Sequence, residues 1–279
     1  MDLSKVYSTR QSYVHKGAYG SVLVVAGSKF YSGSAALAAG GALRAGADLV
    51  TVVAPQRAAD VAANKFTDLI TYPLRGEYLR KTHLKDIFDV MAVRKVNSLV
   101  LGCGMGRHAK TISAINMLIS KLTLPMVLDA DALFAISKKP QIILGKQVIL
   151  TPHLGEAAIL LGRESIADDF DTRLATAKEI SAKYQAVVVL KGHIDVISAP
   201  DITVTNNSGT PYMTKGGFGD ILAGICGALL ARGAGLFEAA HIGAYISGKA
   251  GEIASKYYGE GLLASDIFTF IPQAIHNTD

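Results

Sequence analysis

Residues 21–54 read SVLVVAGSKFYSGSAALAAGGALRAGADLVTVVA. Ser21–Ala26 is an apolar run without polar alternation, the pattern of a strand buried on both faces. Gly27–Gly33 is a Gly/Ser turn. Ser34–Ala47 is alanine-rich and reads as helix, and Leu49–Ala54 is a second buried strand, closed by Pro55. The pattern then recurs. Leu99–Leu101 ends in GCGMG, Pro125–Leu128 in DAD, Val148–Leu150 in TPHLGE and Ala186–Leu190 in KGH. Two short strands, Asp195–Ser198 and Ile202–Thr205, read as an antiparallel hairpin at one edge. Gly217–Gly233, Leu236–Tyr257 and residues 264–275 read as helices. Continuous apolar strands alternating with helices predict an α/β fold with a mostly parallel central sheet and helices on both faces. No linker, repeat or low-complexity segment divides the chain, so residues 1–279 read as one domain.

The composition agrees. Half of the 279 residues are hydrophobic and 18% are charged, ample material for a large core and too little charge for a disordered chain. The formal charge of +5 suits anionic ligands. No long Lys/Arg run or basic helix interleaved with aromatics points to nucleic acid. Cys103 and Cys226 cannot build a disulfide framework and read as small buried residues of a reduced compartment. The N-terminus lacks the apolar region of a signal peptide, and no apolar run reaches membrane-span length. A cytoplasmic protein without membrane contact is expected.

The glycines, carboxylates and histidines gather just after strand ends, where open α/β sheets bind ligands. The sharpest group is Lys215-Gly216-Gly217-Phe218-Gly219-Asp220 at the head of a helix. Glycines there leave backbone N–H groups bare, and with the helix dipole these make an anion hole. Asp220, at the helix entrance, is placed to act as a base on a substrate hydroxyl. Lys191-Gly192-His193 places a cation and bare backbone at the same edge. Asn206–Thr214 (NNSGTPYMT) reads as a connector or as a cover for a nucleotide. His153 in TPHLGE reads equally as a substrate contact or as part of a capped helix start. Asp129 and Asp131 read equally as oxygen ligands for Mg²⁺ or a polar group and as a helix cap. GCGMG is not GxGxxG, which excludes a simple dehydrogenase, and neither a zinc spacing nor a Walker A sequence is present.

In order, VVAGSKFYSGSAALAAGGALRAGADLVTV, LGCGMG, VLDADAL, LTPHLGE, VVLKG and NNSGTPYMTKGGFGDILAG resemble the ADP/ATP-dependent NAD(P)H-hydrate dehydratases, a carbohydrate-kinase-like branch of the ribokinase superfamily. The resemblance runs from about Ser21 onward. It implies a ribokinase-like three-layer α/β/α fold. It also implies ADP- or ATP-dependent dehydration of (S)-NADHX or (S)-NADPHX to NAD(P)H, with Mg²⁺, through phosphorylation of the hydrate hydroxyl and elimination. By the same resemblance Asp220 is the acidic residue at the reacting hydroxyl, and Ala42, Gly106 and His153 contact the hydrate. Lys191, Gly192, His193, Ile194 and Asp195, with Gly216, Gly217 and Gly219, hold the adenine nucleotide. A homotetramer is implied, and the length suggests the dehydratase without the epimerase domain of bifunctional relatives. A common family form of the loop is NPTGNPGMATGGSGD. Here Asn207 replaces Pro, Thr210 replaces Asn, Tyr212 replaces Gly and Phe218 replaces Ser. Phe218 is expected to put its ring inside the anion hole, and Tyr212 to narrow the nucleotide site.

The same hole and base suit a small-molecule kinase of that superfamily, acting on a hydroxyl of a sugar or vitamin precursor. The altered loop suits a catalytically silent nucleotide-binding regulator.

Overall fold

A computed structural model describes residues 3–276. In chain order the elements are β1 (Ser21–Val25), α1 (Ser34–Arg44), β2 (Leu49–Pro55), α2 (Gln56–Lys65), β3 (Ile70–Leu74), α3 (Leu84–Arg94), β4 (Ser98–Leu101), α4 (Ala109–Lys121), β5 (Met126–Leu128) and α5 (Asp131–Ser137). They continue as β6 (Val148–Leu150), α6 (Leu154–Leu161), α7 (Phe170–Tyr184), β7 (Val187–Leu190), β8 (Asp195–Ala199), β9 (Ile202–Asn206), α8 (Phe218–Ala231), α9 (Leu236–Tyr258) and α10 (Ile271–His276). The strands form one sheet in the order β3-β2-β1-β4-β5-β6-β7-β8-β9. Pairing is parallel from β3 to β7, and β8 and β9 add as the antiparallel hairpin read from the sequence.

The period of two along each strand builds the layers. Val22 and Val24 of β1 face one side with Val50, Val52, Val100 and Val127, against α1, α8, α9 and α10. Leu23 and Val25 face the other side with Leu99, Leu101, Met126 and Leu128, against α3, α4, α5, α6 and α7. This is the three-layer α/β/α arrangement. The chain runs outward from β1 to β3 and then crosses back to β4, on the other side of β1. The crevice over the carboxyl ends of β1 and β4 is therefore the topological switch point, the place where such sheets bind ligands.

One strand is invisible to apolar-run reading. β3 (ITYPL) contains Pro73 and an exposed Tyr72 and lies at the sheet edge. An edge position tolerates proline and needs only one apolar face, so no continuous apolar run marks it. The last helical stretch is split into a 3₁₀ turn (Ala264–Thr269) and α10. Both cysteines are buried and free, as expected. Among the described residues no helix is long and apolar enough to cross a membrane.

α8 is apolar on all sides because it lies between the sheet, α1 and α9. Its approach depends on missing side chains. A methyl on Gly41 of α1 would stand 2.5 Å from the carbonyl oxygen of Ile221 in α8. A methyl on Gly224 would overlap the Ala38 carbonyl oxygen, and one on Gly227 would overlap Val100 of β4. Ser98 of β4 also donates its hydroxyl to the Gly227 carbonyl at 2.7 Å. α8 is thereby fixed along the sheet with its N-terminus over the switch point. Gly224→Ala, which forces α1 and α8 apart, is expected to destabilise the protein by about 3 kcal/mol. In thermal unfolding that is a Tm drop of roughly 5–10 °C, and an unchanged Tm would contradict the contact.

Candidate active site

Four strands deliver polar groups to the switch point. Cys103 follows β4, Asp129 follows β5, Thr151 follows β6 and Lys191 follows β7. The glycines of GCGMG make this convergence possible. A methyl on Gly102 (φ +123°) would overlap the Asp129 carbonyl oxygen, and one on Gly104 (φ +59°) would stand 2.5 Å from Ser34 Oγ. They bring β4, β5 and the start of α1 together and do not form a phosphate loop.

Asp129 is buried and accepts from Thr151 Oγ1 (2.7 Å), Lys191 Nζ (2.9 Å) and Cys103 Sγ (3.6 Å). Burial alone would raise its pKa, but the charge and hydrogen bond of Lys191, with the bonds from Thr151 and Cys103, hold it below the ordinary value. Burial alone would lower the Lys191 pKa. The charges of Asp129 and of Glu156 (3.8 Å) overcome it and keep the ammonium protonated. Lys191 is thus not the solvated cation that its place after a strand suggests. It is an internal counter-ion whose Nζ lies 3.1 Å from the point a methyl on Gly219 would occupy. It stands between Asp129 and the head of α8.

Asp220 occupies the first turn of α8, with Gly217 as N-cap at φ +105°. Burial and then the negative charge of Asp129 push its carboxyl up to about 7, against the hydrogen bonds of Ser34 and Cys103 and the charge of Lys191. Near pH 7 it therefore exchanges a proton readily, as a general base requires. Ile221 supplies the first amide of the helix that finds a carbonyl, Gly217 O at 3.2 Å. The N–H groups of Phe218, Gly219 and Asp220 precede it at the helix terminus, as an anion hole requires. Asp129, Asp220 and Cys103 place one ligand atom each within 4.8 Å of one another.

Phe218 does not enter the hole. Its side chain is 6% exposed and belongs to the core beneath α8. Burying a phenyl ring is worth about 2–3 kcal/mol, and Gly217 lets the turn point it inward. Tyr212 lies on a 3₁₀ turn (Pro211–Met213) and is 37% exposed. The loop around it is moored to α9. Gly209 N–H donates to Glu252 Oε1 (3.0 Å), and Ser208 Oγ to the Tyr245 carbonyl (3.2 Å). Gly248 and Gly251 of α9 leave room for Ser208 and Met213, while Gly243 makes room for Cys226 of α8. The small residues of α9 are thus used within the chain.

The other expected site residues fall in different places. Gly192, His193 and Ile194 form the turn between β7 and β8, and Asp195 is the first residue of β8. Asp195 there accepts from Gly192 N–H (3.0 Å) and Asn206 Nδ2 (3.0 Å). Gly216 is open, with nothing near its missing side chain. Gly106 (φ +81°) donates its N–H to Asp131 Oδ2 at 2.6 Å, and Arg107 Nε reaches Asp131 Oδ1 at 3.2 Å. Asp129 and Asp131 therefore point at different partners, and neither is the cap of α5, whose N-cap is Ala130. His153 is the N-cap of α6: its Nδ1 accepts from Gly155 and Glu156, and Glu156 accepts from His153 N–H in return. Its side chain remains 60% exposed at the rim. Ala42 is completely buried between α1 and α8 and presents no surface to a ligand. Ser34, and the roles of Cys103 and Thr151, are missed by motif reading. A serine in a Gly/Ser turn and a cysteine among glycines carry no local signal of what they will meet.

Comparison with known proteins gives a concordant picture. A family model described as NAD(P)H-hydrate dehydratase matches residues 22–273. The bifunctional NAD(P)H-hydrate repair enzyme Nnr of Methanothermobacter thermautotrophicus is 38% identical over 98% of this chain, which spans 53% of that protein. The chain thus covers about half the length of the bifunctional relatives it matches. The ADP-dependent (S)-NAD(P)H-hydrate dehydratase of Cenarchaeum symbiosum is 32% identical, with 100% of this chain and 96% of the relative aligned. Among solved structures, the ADP/ATP-dependent NAD(P)H-hydrate dehydratase from Bacillus subtilis, co-crystallised with ATP/Mg²⁺, superposes with a TM-score of 0.82. It is 26% identical and covers 97% of this chain and 94% of its own. The fold is ribokinase-like.

The electrostatic account makes a direct prediction. In protein labelled with ¹³C-aspartate, Asp220 should titrate near pH 7. Asp129→Asn removes the anion that raises it and leaves Lys191 with Glu156 (3.8 Å) as its remaining counter-charge, so the titration should move toward the ordinary carboxylate range. An unmoved midpoint would refute the coupling.

Proposed function

The chain belongs to the NAD(P)H-hydrate dehydratase family, and we propose that it dehydrates (S)-NADHX or (S)-NADPHX to NAD(P)H at the expense of ADP or ATP. The observation that carries this reading is Asp220, a carboxyl raised to about 7 at the head of the glycine-rich N-terminus of α8. The phosphates of the nucleotide lie at the free amides of Phe218, Gly219 and Asp220, with Lys191 beside them. The turn of Lys191–Asp195 and the moored loop of Asn206–Thr214 form the nucleotide side of the crevice. The hydrate lies on the other side, along Gly106 and His153, with its hydroxyl at Asp220.

Asp220 takes the hydroxyl proton as the oxygen attacks the terminal phosphorus, and the bond to the bridging oxygen breaks to release a nucleotide one phosphoryl group shorter. The new phosphate ester is a better leaving group than hydroxide. The ring nitrogen's electron pair then expels inorganic phosphate, with loss of the neighbouring proton, and restores the ring double bond. The site's own donor set, one thiol and two carboxylates with Asp129 already matched by Lys191, does not make a closed cage for Mg²⁺. It fits an ion that arrives on the nucleotide phosphates and keeps most of its ligands there. Such an ion would neutralise phosphate charge.

The single sheet from β1 to β9 supports reading residues 1–279 as one domain. Family resemblance alone supports a cytoplasmic homotetramer, since the α9 glycines are already used within the chain.

The test follows absorbance at 340 nm after protein is added to NADPHX with Mg²⁺ and either ADP or ATP. A nucleotide-dependent rise is expected. Asp220→Asn should reduce it by about 10²–10⁴-fold while nucleotide binding persists. Because the base acts ionised, kcat/KM should rise as pH increases through about 7 and level off above it. A stable phosphorylated product without NADPH would favour a small-molecule kinase. Nucleotide binding with full indifference to Asp220→Asn would favour a regulator.

A further inference from the structure

Arg173, on α7, has a side chain only 2% exposed. Among the described residues it makes one direct ion pair, with Asp168 at 2.8 Å, which is itself 63% exposed at the surface, and its charge also acts on the buried carboxyl of Asp195. The rest of the guanidinium serves the backbone. Nη2 donates to the carbonyl oxygens of Leu190 (3.4 Å), Lys191 (3.0 Å) and Ile194 (3.0 Å). Nε is buried without a hydrogen-bond partner, so the group is held by its tips alone. Three carbonyls of one turn therefore converge on a single buried cation. Since peptide N–H and C=O groups point in opposite directions, this convergence fixes which face of the turn shows its amides. The Lys191 N–H lies on Pro152 O (2.8 Å) and the Gly192 N–H on Asp195 Oδ1 (3.0 Å), both facing away from the cation.

Gly192 is not glycine for its backbone angles, because its φ is not positive. A methyl built on it would lie 2.5 Å from Arg173 Cζ and 2.6 Å from Nη1. The obstacle is the tip of a long side chain, but one pinned by four hydrogen bonds in a buried slot. It cannot withdraw without breaking its bonds to three carbonyls.

We propose that Arg173 is the positioning residue for the nucleotide turn: its guanidinium sets the course of Lys191–Asp195, and Gly192 is glycine to make room for that guanidinium rather than for the nucleotide. Arg173 touches no ligand. It acts by aiming Lys191 at Asp129 and the head of α8, and by holding the neighbouring amides in place. This rests on the nucleotide reading above.

The experiment is a double-mutant cycle read by calorimetric titration with ADP, with Tm and the KM for NADPHX measured alongside. Gly192→Ala drives the turn off its template and should weaken ADP binding about 10- to 100-fold and lower the Tm, leaving the KM for NADPHX unchanged. Arg173→Met should weaken ADP binding to a similar extent. Adding Gly192→Ala to it should cost nothing further, because the obstacle is gone. Arg173→Lys takes the place of Arg173→Met in the cycle if the latter does not fold. It keeps the charge but not the fork that reaches three carbonyls, so it should also weaken ADP binding. Wild-type ADP affinity in Gly192→Ala would overturn the proposal, as would full additivity in the double variant or equal losses for ADP and NADPHX. A wild-type protein that binds no adenine nucleotide would instead overturn the reading on which it rests.

Discussion

The contact between α1 and α8 is made by backbone rather than by side chains. Gly41 and Gly224 let the two helices approach until carbonyl oxygens lie where methyl groups would otherwise stand. Gly227 lets α8 settle on β4, where a methyl would overlap the Val100 side chain. The approach fixes the height and direction of α8, and both matter at its far end. Asp220 must reach the gap between Ser34 and Cys103, and the first amides of the helix must open toward the crevice over β1 and β4. A helix standing a side chain farther out would carry the same GGFGD sequence to a point where Asp129 and Lys191 could not act on it.

The charges at that point are arranged around one anion. Asp129 is matched by Lys191 and by two further hydrogen-bond donors, and it stays ionised despite its burial. Its charge then acts on Asp220, which makes no direct ion pair among the described residues and sits just inside the helix mouth. Two carboxylates in one buried cluster are thus pushed apart in proton affinity, one toward permanent ionisation and one toward neutrality near pH 7. This is the general way in which a fold assigns different tasks to chemically identical groups. The ammonium of Lys191 joins the two halves of the arrangement, because it touches Asp129 and stands against Gly219.

The central fold is legible in the sequence because buried parallel strands are continuous apolar runs, and the connections after β4, β5, β6 and β7 begin with residues that also carry the chemistry. Edge strand β3 escapes that signal, since Pro73 and Tyr72 satisfy an edge and would not satisfy an interior position. Asp220 and the glycines before it are legible because helix-terminal anion holes have a local signature. The partnership of Asp129 with Lys191 is not, because 62 residues separate them and only the order of β5, β6 and β7 brings them together. The same holds for Arg173 and Gly192. The glycine of VVLKG looks like a ligand-facing residue, and the reason for it lies on the opposite face of the turn, in a helix that no motif marks. Ala42 shows the converse: it stands in a recognisable stretch, and packing hides it entirely.

Phe218 sits in the middle of the most recognisable string in the chain, yet its ring answers to the core. A signature of this kind is two interleaved records written on one turn. The glycines and the aspartate record what binds above, and the phenylalanine between them records what packs below. Replacing Phe218 by serine would therefore change how the helices settle beneath the site before it changed the amides above. Search patterns that weight the whole string evenly will rank kinship of cores as though it were kinship of chemistry.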